Sequence, residues 1–262
     1  MAVSKRFASG WQVELTSLAR LCVALCRADH LHTNFRQLYT HLRSQGYFID
    51  TLTRDLTCFN ALDYSALLLV DTEEDFSALE VEKLERDVIS GLSLIVFADW
   101  WDPTWAVEQL RFRDDNTRRW WSPAVGGANI PSINELLRPF GIAFGKGRVR
   151  GSFTLDGEGT ADFSDGTFLT RFPMTGRVVY ARLRDTAAGS AGSGLDGDAL
   201  SADHEDHEDH PVFGMVGVDG ASSFLAAFGD SGCIDDAQLQ RGNCFFLVSA
   251  QAPSTTAFQG CF

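Results

Sequence analysis

Two apolar runs, Ala66 to Val70 and Leu92 to Ala98 with Ser93 its one polar residue, set the strongest limit on what this chain folds into. Each has the length of a strand, and a run that does not alternate with polar residues belongs to a strand covered on both faces. Between them, Ser77 and Glu80 have the spacing of a capping box, Val81, Leu84 and Val88 form a helical stripe, and Gly91 closes the helix. The unit is therefore β-α-β, whose crossover is right-handed and whose strands are parallel. Its ligand crevice is expected beyond the carboxyl ends of the strands, at Asp71 and at Asp99, Trp100 and Trp101.

The flanking segments extend this pattern. Phe35, Leu38, Tyr39 and Leu42 follow the spacing of a helical face that Gly46 ends, and a strand over 47–52 follows. Short strands separated by glycine-bearing turns are expected over 149–155, 167–172 and 177–183, and again over 211–218 and 223–228, with a closing apolar helix over 243–249. Together these elements predict an α/β domain. It has an open, mainly parallel sheet with helices on both faces, of the flavodoxin or glutamine-amidotransferase-like type, with extra short strands in its second half.

Five segments divide the chain: an atypical start over 1–29, the α/β unit over 30–184, a Gly/Ser-rich and then acidic insert over 185–210, the completing strands and helix over 211–250, and a tail over 251–262. The insert lacks the apolar residues that repay ordering, so disorder is expected there. With 262 residues, 45% of them hydrophobic, the chain has ample material for a core. The net charge of −13 argues against nucleic acid and anionic membrane as partners. No run approaches the ~18 apolar residues of a membrane span, and Glu14 and Arg20 interrupt what a secretory signal would need near the start.

Residues 111–141 form the densest block. A charged arm carrying Asp114, Asn116 and Arg118 leads to the pair Trp120 and Trp121, over a Gly126-Gly127 hinge, and into a helix at Ile130, Pro131 and Ser132. Pro131 presets the first helical φ, Ser132 and Glu135 are spaced as a capping box, and Gly141 ends the helix. Adjacent indoles cannot share one face, so the block is expected to pack over a sheet edge and hold a long loop down.

Chemistry-bearing patterns are few. Ser231 in Gly229-Asp230-Ser231 follows a strand, but a nucleophile there needs a histidine base and a glycine-x-serine-x-glycine elbow, which is absent. A plain turn is the simpler reading. His204, His207 and His210, interleaved with acids, are the weak candidates for a metal; without a fixed geometry they make a solvated acidic loop. His30 and His32 lack a third ligand and suit the start of a helix. Asp71, Glu73, Glu74 and Asp75 suit a solvated loop after a strand. Cys233 and Cys244 bracket a short loop, where a disulfide would close a ring worth ~2–3 kcal/mol and point to a secretory compartment. Cys22 and Cys26 stand one helical turn apart.

Certain motifs carry a family resemblance. They are His30 to Arg36, Gly46-Tyr47-Phe48, Asp114 with Asn116 and Arg118, Trp120-Trp121, Gly126-Gly127-Ala128-Asn129-Ile130-Pro131, Asn134 to Leu137, and Gly229-Asp230-Ser231 with Cys233 and Asp235-Asp236. They resemble the site-1 protease family of subtilisin-like serine endopeptidases, in its region downstream of the catalytic domain, over about 30–184 and 211–250. The resemblance implies a luminal endopeptidase of the endoplasmic reticulum and Golgi that processes membrane-anchored transcription-factor precursors. The Asp-Thr-Gly, His-Gly-Thr and Gly-Thr-Ser motifs of the subtilisin triad do not occur, and Asp71-Thr72-Glu73 lacks the glycine. No catalytic residue is therefore carried over, and no cofactor is called for. The expected role is an accessory domain whose partner is a subtilisin-like catalytic domain, in cis or in trans. The alternative is a free-standing ligand- or protein-binding α/β module. Residues 1–29 lack the resemblance, including the first sheet strand the family would supply there.

Overall fold

In the computed structural model, which describes residues 2–6, 12–16, 20–25, 31–123, 127–155, 159–186, 207–221, 223–238 and 243–248, the two apolar runs are neighbouring parallel strands. The elements in order are β1 (Ala2–Arg6), β2 (Gln12–Thr16), β3 (Arg20–Leu25), α1 (Arg36–Ser44), β4 (Phe48–Thr51), β5 (Ala66–Val70), α2 (Ala78–Ile89), β6 (Ser93–Phe97), α3 (Pro103–Gln109), β7 (Phe112–Arg113), β8 (Trp120–Trp121), α4 (Ile130–Leu137), β9 (Ala143–Phe144), β10 (Val149–Leu155), β11 (Gly159–Gly166), β12 (Leu169–Arg171), β13 (Arg177–Asp185), β14 (His207–Gly217) and β15 (Phe224–Phe228). Nine strands form one sheet in the order β11-β10-β13-β14-β15-β6-β5-β3-β4. The strands from β15 to β4 run parallel, and those from β11 to β15 antiparallel.

Alternation along β5 and β6 sends side chains into two cores. Leu68, Val70, Ile95 and Phe97 join Leu38 and Leu42 of α1 on one face. Leu67, Leu69, Leu94 and Val96 join Leu84 and Val88 of α2 and Ile133, Leu136 and Leu137 of α4 on the other. Each such burial contributes about 1.5–3 kcal/mol, so the double cover is what holds the parallel half together. The start of α2 is the expected capping box: Glu80 accepts from the Ser77 amide at 2.8 Å, and the Ser77 hydroxyl accepts from the Glu80 amide at 3.4 Å. The cap of α4 falls three residues earlier than expected. Asn129 Oδ1 accepts from the Ser132 amide at 3.3 Å, and the Ser132 hydroxyl accepts instead from the Phe76 amide at 2.9 Å. After α4 a 3-10 turn over Arg138–Phe140 ends on Gly141 at φ 70°, a left-handed conformation that suits glycine.

The boundary placed before residue 30 moves. β3 lies between β4 and β5 and supplies the strand that 1–29 was expected to lack. Leu21, Cys22 and Val23 are buried, while Arg20, which breaks the apolar run in the sequence, sits exposed at the strand's start. Cys22 is therefore a strand residue, not half of a helical pair; Cys26 lies outside the described residues. The insert also shrinks, because His207 to His210 belong to β14 and pair with β13. The expected closing helix is only a 3-10 turn, Phe245–Leu247, beside the Cys233–Cys244 disulfide. β11 was not foreseen, since Gly159, Asp162, Ser164 and Asp165 hide an alternation that buries Ala161 and Phe163.

Trp120 and Trp121 depart furthest from expectation. They form a two-stranded hairpin with Phe112 and Arg113 and are 64% and 54% exposed, so they hold no loop against the sheet. The two strands of this hairpin form a sheet of their own, apart from the nine-stranded one.

Val23 has no exposed surface in the middle of this parallel half. Val23→Asp would bury an unpaired charge there and is expected to cost roughly 3–5 kcal/mol or prevent folding, as urea unfolding would measure.

Candidate functional site

Aspartates end three adjacent strands of the parallel half. Asp71 directly follows β5, Asp99 lies just past β6, and Asp230 lies just past β15. The strand ends are level: the Asp71 amide donates to Phe97 O at 2.9 Å, and the Ala98 amide donates to Phe228 O at 2.8 Å. The crevice of an open α/β sheet lies at this edge, so three carboxyls meet where a ligand would sit. Asp71 itself adopts a left-handed φ of 47°.

The cluster resists ionisation. Loss of water, then the charges of Asp71 and Asp230, hold the Asp99 carboxyl well above the usual range; the 2.7 Å hydrogen bond it accepts from the Trp100 amide acts the other way. Asp230 has no exposed surface, and burial pushes it up to about 6. It rises although it accepts from the Ser164 amide at 2.5 Å, the Gly232 amide at 2.8 Å and the Ser164 hydroxyl at 3.2 Å. Raised carboxyls of this kind occur both in active sites and in buried structural clusters. What surrounds them decides which this is.

The protein's own side chains fill the surroundings. Arg148, 6% exposed, donates from Nε to Asp165 Oδ1 at 3.0 Å and pairs its Nη2 with Asp165 Oδ2. Arg150 Nη2 meets the same Oδ2 at 2.8 Å. The Arg148 guanidinium lies 3.6 Å from the Trp105 ring centroid and 4.8 Å from that of Trp100, and the two indoles meet edge to face at 5.4 Å. Over Asp99 passes the loop of Gly127. A Cβ there would stand 2.4 Å from Asp99 Oδ2, so only glycine permits the approach, and the Gly127 and Ala128 amides both donate to Trp100 O at 3.0 and 3.2 Å.

The remaining candidates scatter. Asn129 caps α4 and also ties two loops, donating from Nδ2 to Asp75 Oδ1 at 3.0 Å and to Glu73 O at 3.2 Å. Pro131 occupies the first turn of that helix. Asp114 accepts from the amides of Asn116 and Thr117 at 3.2 and 3.0 Å at the tip of the β7–β8 hairpin, where Arg118 adopts φ 59°. Cys233 and Cys244 are joined, with Cα atoms 5.5 Å apart. Gly126 and His204 lie outside the described residues. His207 lies in β14, and the His210 ring sits 4.6 Å from Phe168. Among the described residues no group of three or more His, Cys, Asp or Glu side chains is arranged to hold a metal ion. Ser231 is buried beside Asp230, while His32 and His41 make ring contacts with Tyr39 and Phe245.

Sequence reasoning missed Arg148, Asp165 and Trp105, and took Asp230 only as part of a turn. One signal was present: Asp71, Asp99 and Asp230 each end an apolar run, and three such aspartates in one α/β chain share an edge if their strands are neighbours.

A nine-stranded mixed sheet with helices on its parallel half, and a self-filled crevice at its strand ends, define an open-sheet α/β domain. Residues 23–258 match the family model for the "MBTPS1, fourth GATase-like domain", and the chain belongs to that family. It is 40% identical over 223 residues to membrane-bound transcription factor site-1 protease of Homo sapiens and 42% identical over 221 residues to subtilisin-like protease SBT6.1 of Arabidopsis thaliana. These matches cover 85% and 84% of this chain but only 20% of each relative, so the chain spans about a fifth of their length. The N-terminal domain of mmIFT52 has a similar fold, with a TM-score of 0.54 at 14% identity over 85% of this chain and 91% of that one. Among the described residues no helix is long and apolar enough to cross a membrane.

The raised pKa of Asp230 fixes a pH dependence. Its carboxyl binds a proton more tightly when folded than when unfolded, where its value is the ordinary 3.8. Its contribution is therefore full below about 4 and is lost as pH rises through about 6, a change of roughly 2–3 kcal/mol; Asp99 acts in the same direction. In urea unfolding between about pH 4 and 6.5, Asp230→Asn should flatten this part of the stability profile.

Proposed function

We propose that this part of a site-1-protease-like protein is a non-catalytic accessory domain that supports a subtilisin-like catalytic domain. The observation that carries the reading is the filling of the strand-end crevice by Arg148, Trp100, Trp105 and the Gly127 loop. A ligand approaching Asp99 would have to displace a hydrogen-bonded loop and a buried ion pair, which favours the accessory role over a free-standing binding module. Ser231 has a backbone-anchored aspartate beside it, and the subtilisin motifs are absent from the sequence.

The names of the relatives extend the reading to the whole protein. Site-1 protease and subtilisin-like protease imply a serine endopeptidase, and "membrane-bound transcription factor" implies precursors anchored in a membrane as its substrates. The disulfide is consistent with a luminal position in the secretory pathway. The buried carboxyls would make the domain firmer in a mildly acidic lumen than in neutral solution.

Two measurements test this reading. The chain alone is expected to neither hydrolyse an arginine-containing peptide nor take up a fluorophosphonate label, and Ser231-dependent labelling would overturn the proposal. Mixed with a subtilisin-like catalytic domain of the family, the chain should raise that domain's unfolding temperature by a few degrees; no shift at saturating concentration would count against it.

A further inference from the structure

The β7–β8 hairpin takes no part in the strand-end cluster, and its surface differs from that of the rest of the chain. Phe112, Trp120 and Trp121 are 62%, 64% and 54% exposed. Consecutive strand residues point to opposite faces, so two open indoles mean that the hairpin stands clear of the body on both sides. Four arginines, Arg111, Arg113, Arg118 and Arg119, against Asp114 and Asp115 give residues 111–121 a formal charge of +2 in a chain of −13. Isolated exposed apolar side chains need no explanation, but aromatics grouped with arginines have the composition of interface hot spots.

The hairpin is also held in one shape. The Asp114 amide donates to Arg119 O at 2.9 Å, and the Arg118 amide donates to Asp114 O at 2.8 Å. Asp114 further accepts from the Asn116 and Thr117 amides and the Thr117 hydroxyl, and the Arg111 guanidinium lies 5.1 Å from the Trp120 ring centroid. An element ordered in advance loses little entropy on docking.

We infer that this hairpin is a docking tongue that enters a cleft, apolar at its floor and lined by carboxylates, on the subtilisin-like catalytic domain; the inference rests on the accessory-domain reading. Aromatics on both faces fit a cleft rather than a flat surface. Lipid fits poorly, because the tip carries the Asp114 carboxylate, whose hydrogen bonds hold it below the usual range, and this charge would have to enter the bilayer first. A second copy fits poorly as well, since two chains of −13 repel each other.

The test uses the purified 262-residue chain with three probes: the subtilisin-like domain of human site-1 protease, the chain itself at rising concentration, and phosphatidylcholine vesicles containing phosphatidylserine. Two double variants, Trp120→Ser with Trp121→Ser and Arg113→Glu with Arg119→Glu, change exposed residues and should unfold at the parent's temperature. The parent is expected to bind the catalytic domain in a salt-sensitive way, and each variant about tenfold or more weakly. Equal binding by parent and variants overturns the tongue while leaving the accessory domain standing. No binding by the parent overturns both. Self-association or vesicle binding that the variants abolish overturns the inference by giving the hairpin another occupant.

Discussion

The strand-end edge depends on how one buried guanidinium is neutralised. Arg148 lies just ahead of β10 in the antiparallel half, its charge met by Asp165 near the end of β11 and its flat faces packed on Trp100 and Trp105 from the loop and helix after β6. Its carbonyl also accepts from the amide and hydroxyl of Thr186, both at 2.8 Å. One side chain thus fastens the antiparallel strands to the parallel core. A buried pair of this kind gains little over a well-packed apolar replacement, but losing Arg148 leaves Asp165 only the exposed Arg150, and losing Asp165 strands the buried guanidinium.

Close backbone approaches complete the closure. A Cβ on Gly229 would lie 2.0 Å from Thr167 O, and one on Gly166 would lie 2.4 Å from Gly229 O, so the end of β15 and the turn after β11 meet at a distance only glycine allows. Gly127 does the same over Asp99. These contacts exclude water, and the exclusion raises the carboxyls of Asp99 and Asp230. An edge that in other open sheets admits a ligand is here sealed by its own glycines, indoles and arginine. The exposed arginines and tryptophans of the β7–β8 hairpin lie outside this edge.

The sequence disclosed the elements whose order is local. β5, α2 and β6 were legible because continuous apolar runs and a Ser77–Glu80 cap leave few alternatives, and the Cys233–Cys244 bridge because a short loop brought the pair near. The rest depended on contacts that spacing does not encode. β3 was obscured because its only charged residue, Arg20, stands at the exposed start of a strand that needs β4 and β5 as neighbours. The Arg148–Asp165 pair spans 17 residues and the Ser164–Asp230 hydrogen bond spans 66. The tryptophan pair misled for a physical reason: large aromatics are mostly buried, and only the three-dimensional isolation of a two-residue strand pair exposes them.

Urea unfolding of Arg148→Leu tests most directly whether the filled crevice is framework. If Arg148 fastens the two halves, the substitution leaves Asp165 with Arg150 alone and removes the guanidinium from Trp100 and Trp105, lowering stability by about 1–3 kcal/mol. Stability within about 0.5 kcal/mol of the parent, the range of an ordinary surface substitution, would show that the crevice does not hold the halves together and would contradict the account.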